Sequence, residues 1–168
     1  MERYLTTLRY IHYSNYNLSR EGILAREQLY RNALTTQMVF GANSGVTNYY
    51  LPVYPSAGGK EPALILWFFD SRGGVYFQQL DDSGNQVPQP NWVDQSVVDW
   101  FLQTNDELSY KHGRNIPSLA FVHIPTQASQ VVQTEMGIDR HHQPGINKVS
   151  DRLRVILNTA NAKFCNHL

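Results

Sequence analysis

The 168-residue chain is short of several features that mark common protein classes, and each shortage excludes something. It has one cysteine, Cys165, so neither an internal disulfide nor a thiolate zinc cluster can form. A chain without disulfides fits the cytosol and does not exclude secretion. It has no excess charge of either sign: fourteen Lys and Arg stand against fourteen Asp and Glu. That balance excludes a broad basic face for duplex nucleic acid, which is bound mainly through its phosphates. Long apolar runs are missing too. The longest, 63–69, is far too short to span a bilayer, and Arg3, Thr6, Thr7, Arg9 and His12 interrupt the start too often for a signal peptide. Neither export nor anchoring is therefore expected. Asn17-Leu18-Ser19 matches the glycosylation pattern, which means little without an export signal.

What is present is the material of one folded domain. The chain is 42% apolar and only 17% charged, with enough length to bury a core. Ser19 reads as the cap of a helix in which Glu21 suits the positive end of the dipole and Ile23, Leu24, Tyr30 and Leu34 recur at helical spacing. Residues 41–45 are turn chemistry. Residues 47–53 (TNYYLPV) predict a strand that Pro52 puts at a sheet edge or ends. The strongest strand signal is 63–69 (ALILWFF), apolar on both alternate faces, as in a strand covered on both sides. A short strand follows at 75–80, and 82–85 (DSGN) predicts a turn.

Residues 92–108 predict a second helix, with Val93, Val97, Trp100, Phe101 and Leu108 on one face. A second buried-type strand, 118–122 (SLAFV), should neighbour 63–69 in one sheet, with that helix covering one face and burying Val97, Trp100 and Phe101. A third helix is expected over 150–164. Alternating strands and helices favour a layered α/β domain.

Two strand ends carry the candidate chemistry. His123 directly follows an apolar strand, where α/β proteins gather ligands, and a neutral imidazole there can ligate a metal. The alternative is a buried histidine satisfied by a backbone carbonyl. Asp70, followed by Ser71-Arg72-Gly73-Gly74, offers a place for a phosphate or a partner loop, or else a strand-ending turn whose carboxylate accepts local amides. Other signals are weaker. His141-His142, with Glu135 and Asp139 upstream, has ligand types but no compact zinc spacing, and reads as a solvated loop. Gly58-Gly59-Lys60 lacks the rest of a phosphate loop. The stretch from Asp81 lacks the glycine and glutamate of a calcium loop. Cys165 has no His and acid partners at readable spacing.

Taken in order, Asn17-Leu18-Ser19-Arg20-Glu21, Asn48-Tyr49-Tyr50-Leu51-Pro52-Val53, Leu66-Trp67-Phe68-Phe69-Asp70-Ser71, residues 92–101 and Phe121-Val122-His123-Ile124-Pro125 resemble the calcineurin-like metallophosphoesterases, in the fungal-type branch related to purple acid phosphatases. The resemblance spans 17–147 and leaves 1–16 and a C-terminal helical segment, 148–168, unmatched. It implies an α/β metallophosphoesterase-type core of mixed sheets flanked by helices, incomplete at both ends. It also implies hydrolysis of phosphate monoesters by a pair of divalent ions (Fe, Mn or Zn), which polarise the phosphoryl group and supply a hydroxide.

Of the family's ligand blocks only the strand-end histidine, His123, has a counterpart. No Gly-His-x-His occurs, and a gapless alignment sets His12 where the family has a leaving-group histidine, flanked by Ile11 and Tyr13 where ligands are expected. One imidazole cannot hold two ions, so the chain is expected to bind no stoichiometric pair and to be nearly inactive. Two alternatives belong to other classes. One is a non-catalytic interaction domain on this scaffold, binding a protein through Tyr49-Tyr50 or the Trp92 region. The other is a carbohydrate-binding module, suggested by the 12% aromatic content.

Overall fold

The computed structural model describes residues 18–124 and 162–165. The elements run α1 (Arg20–Glu27), β1 (Tyr49–Val53), β2 (Leu64–Phe69), β3 (Val75–Leu80), β4 (Gln86–Pro88), α2 (Gln95–His112), β5 (Ser118–Val122) and β6 (Ala162–Cys165). The described residues form a mixed α/β structure: two helices, a four-stranded sheet in the order β1-β2-β5-β6, and a two-stranded sheet of β3 and β4. Among them no helix is long and apolar enough to cross a membrane.

The two strongly apolar runs are neighbours, as their shared pattern predicts. β2 and β5 pair in parallel from Ile65↔Ser118 to Phe69↔Val122. β1 lies antiparallel to β2 at the sheet edge, where the missing N–H of Pro52 costs no ladder bond. α2 covers one face. Its Val97, Val98 and Phe101 are fully buried against Ile65, Trp67, Phe69, Ala120 and Val122. Phe101 meets Trp67 edge-on at 4.7 Å and Phe69 at 5.6 Å, an arrangement that adds about 0.5–1.5 kcal/mol per pair to the apolar burial.

Five expectations need correction. The second helix starts later than the pattern suggested, because Asp94 caps it by accepting the Ser96 N–H. Trp92 and Val93 precede the cap, although Val93 is still fully buried. The helix then runs past Leu108 to His112 and stops at Gly113, whose φ of 63° terminates it in the left-handed region. Trp100 is half-buried rather than enclosed, packed edge-on to Trp67 at 5.6 Å.

The first helix keeps its Ser19 cap but ends at Glu27, leaving Tyr30 and Leu34 exposed. There Thr35 donates its hydroxyl to Glu27 at 2.8 Å, turning the chain back on itself. β2 is buried on one face and half-buried on the other: Ile65, Trp67 and Phe69 are buried, whereas Leu64, Leu66 and Phe68 are half-buried. On that second face Phe68 stacks on Tyr49 at 4.6 Å and on Phe121 at 5.0 Å. Finally, the last turn of the helix expected over 150–164 is strand: Ala162–Cys165 pairs in parallel with β5 and satisfies the backbone groups along its other side. Residues 150–161 lie outside the described residues.

Candidate functional site

Because β2 and β5 are parallel, their carboxyl ends emerge together, Asp70 after Phe69 and His123 after Val122. The end of β2 is closed by polar bonds. Asp70 Oδ2 accepts the Val46 N–H at 2.8 Å, and Oδ1 accepts the Arg72 N–H at 2.7 Å and an Arg20 guanidinium N–H at 3.2 Å. Its own N–H donates to Asn48 Oδ1 at 2.8 Å, and Asn48 Nδ2 donates to the Ser44 carbonyl at 2.6 Å. Asn48 and Ser44 are themselves buried. The wrap is close: a Cβ on Gly45, whose φ is +79°, would lie 2.6 Å from Asp70 Oδ2. Asp70 is thus the strand-ending turn of the two readings the sequence left open, its carboxylate engaged by local and returning amides.

The next residues extend this closure. Arg20 also donates to the Gly73 carbonyl at 2.6 Å, tying α1 to the turn. Arg72 adopts a φ of 58°, unusual for a side chain with a Cβ. Its Nε and Nη2 each donate to the Trp92 carbonyl at 3.1 Å, and its guanidinium lies 5.8 Å over the Trp92 ring. Both arginines beside the strand end are therefore engaged with the protein itself. Between α1 and the turn, Arg20, Ile23, Leu24, Glu27, Val46, Thr47 and Asp70 line a cavity of about 20 Å³, room for a single water and not for an organic substrate.

The end of β5 carries an exposed residue. His123 is exposed, which excludes the buried alternative. The two ends are joined by a side chain, since the Ile124 N–H donates to Ser71 Oγ at 3.1 Å.

The remaining candidates fall elsewhere. His12, Glu135, Asp139, His141 and His142 lie outside the described residues. Asp81 is a turn residue that accepts the Ser83 and Asn85 amides, and Gly58 makes a turn by donating to the Pro55 carbonyl. Cys165 lies in β6. Tyr49, one of the expected partner-binding residues, is buried, and burial pushes its hydroxyl pKa above 10.0 against the opposing hydrogen bond with Thr35.

The sequence reading named Arg20, Asn48 and Ser71 only within longer blocks and gave none of them these partners, which are distant in the chain and leave no local pattern. Among the described residues no three His, Cys, Asp or Glu come together as metal ligands. The one carboxylate beside the His123 strand end already accepts three hydrogen bonds, so the described residues do not by themselves compose a two-metal centre. Comparison with protein-family models, with curated proteins and with solved structures finds no match to this chain.

Proposed function

We propose that the chain is a metallophosphoesterase-type α/β scaffold, related by resemblance to phosphate-monoester hydrolysis, which by itself turns over little or no such ester. The observation that carries this reading is the asymmetry at the carboxyl ends of the two central strands. An exposed imidazole, His123, ends β5 beside a carboxylate, Asp70, that is spent on the fold. Ligands gather at such strand ends in layered α/β proteins, and a neutral imidazole there is a metal-ligand type. Two-metal hydrolysis needs carboxylates, amides and imidazoles from several strand ends, and His123 is the single counterpart. The layering belongs to the same proposal, with α2 on one face and the stacked Tyr49, Phe68 and Phe121 turned to the other.

The test is elemental analysis of the dialysed 168-residue chain, together with an aryl phosphate assay in added Mn²⁺, Fe²⁺ or Zn²⁺. Fewer than two ions per chain and no turnover are expected. Two ions per chain with hydrolysis abolished by His123→Ala would overturn the inactivity.

A second reading, a non-catalytic binding module on the same scaffold, is favoured by Leu29, Tyr30, Leu34 and Phe40, large apolar side chains all exposed between α1 and β1. Tight folding without metal supports it over an enzyme. The carbohydrate-binding alternative has less ground, because a parallel β2–β5 pair under an 18-residue helix differs from the antiparallel sandwich of that class.

A further inference from the structure

His123 belongs to a segment whose pairing with β2 stops at Phe69↔Val122. Beyond that pair, the bond between the two strand ends is made by a side chain, with Ser71 Oγ accepting the Ile124 N–H in a buried contact. Ser71 is only 2% exposed and sits between two anchored residues. Asp70 is held by the Val46 and Arg72 amides and by Arg20, and Arg72 is held by the Trp92 carbonyl. The hydroxyl therefore rides on a turn whose neighbours on both sides are fixed. On the other strand, Val122 is fixed by the ladder and Ile124 is buried. His123 is the single residue between these two anchors, so the exposed imidazole projects from a backbone set on both sides.

We infer that Ser71 is a positioning residue for His123: its hydroxyl carries the geometry of the Asp70 turn on β2 across to the imidazole that ends β5. The purpose of that positioning rests on the metal-facing reading of His123 proposed above, whereas the geometry does not. Removing the hydroxyl leaves the Ile124 N–H buried without an acceptor, a state that the segment relieves by turning the amide to water. His123 moves with it. The Asp70 turn keeps its own bonds, because none of them passes through the Ser71 side chain.

The experiment uses the full chain and reads amide hydrogen exchange together with the ring carbon–proton signals of His123 by NMR. In Ser71→Ala the Ile124 amide should lose about tenfold protection, the worth of roughly one hydrogen bond. The His123 ring signals should move toward those of a mobile histidine, while the amides of Trp67 and Ala120 keep their protection. Ser71→Thr, which retains the hydroxyl, should restore both signals. If the alanine variant does not fold, Ser71→Thr and Ser71→Val, alike in shape and different in the hydroxyl, make the same comparison. Unchanged Ile124 protection and unchanged His123 signals without the hydroxyl overturn the inference, as does a lowered melting temperature with His123 unaffected. A separate arm adds Mn²⁺ to the parent chain. Selective broadening of the His123 ring signals supports the metal-facing reading, and its absence overturns that reading while the Ser71 result stands on its own.

Discussion

The carboxyl ends of β2 and β5 lie side by side and are built in opposite ways. β2 ends in a carboxylate that is 7% exposed and bonded to two backbone amides and a guanidinium. β5 ends in an exposed imidazole. A buried charge is tolerable only when paired and hydrogen-bonded, so Asp70 had to become part of the fold. An exposed imidazole carries no such obligation. The buried carboxylate end supplies rigidity, and the β5 end presents an imidazole at the surface.

The sharpest way to break this comparison is to remove each group in turn. Asp70→Ala strands the Val46 and Arg72 amides and the Arg20 guanidinium, and should cost about 3–5 kcal/mol in denaturant unfolding. His123→Ala, at an exposed position, should cost no more than about 0.5 kcal/mol. Similar losses in the two variants would mean that the ends are not different in kind.

A smaller effect, about 2–4 kcal/mol, is expected from Gly45→Ala, which combines an unfavourable φ with a Cβ driven against Asp70 Oδ2. A loss under about 0.5 kcal/mol would show that residues 44–46 can withdraw from the carboxylate without harm.

The smallest effect comes from an exposed version of the same device. Asp81 follows β3 as Asp70 follows β2 and likewise accepts backbone amides. Its pKa is held below the usual 3.8, chiefly by the Asn85 amide working against desolvation, with the Asn85 side chain and the Ser83 amide lowering it further. The folded pKa is the lower one, so the turn's contribution is present above the ordinary carboxylate range and fades as pH falls through the lowered value. Carboxyl NMR should find Asp81 titrating below 3.8, and Asn85→Ala should bring it only partway back, since the backbone donor survives. Titration at the ordinary value would show that the Asp81 turn is open in solution.

Some of this was legible from residues close in sequence. The doubly apolar runs pointed to β2 and β5 as neighbours, and 118–122 matches β5 residue for residue. Ser19 as a cap, Pro52 at an edge and His123 at a strand end were readable too. The errors share a cause. The first helix was read as long because Tyr30 and Leu34 keep the period, yet the Thr35 hydroxyl on Glu27 turns the chain away first. The C-terminal pattern read as helix, but Ala162–Cys165 has the side of β5 to pair with.

Sequence alone determined the kind of element for α1, β1, β2, β3, α2 and β5 and put His123 at a strand end, because period, caps and turn chemistry are properties of contiguous residues. Tertiary structure decided which polar groups were left for chemistry. Arg20 finds Asp70 across 50 positions, Asn48 finds it across 22, and Ser71 finds Ile124 across 53. Those partnerships exist only once α1, the approach to β1 and the end of β5 are folded against the end of β2, since a hydrogen bond is chosen by proximity in space and leaves no period in the chain.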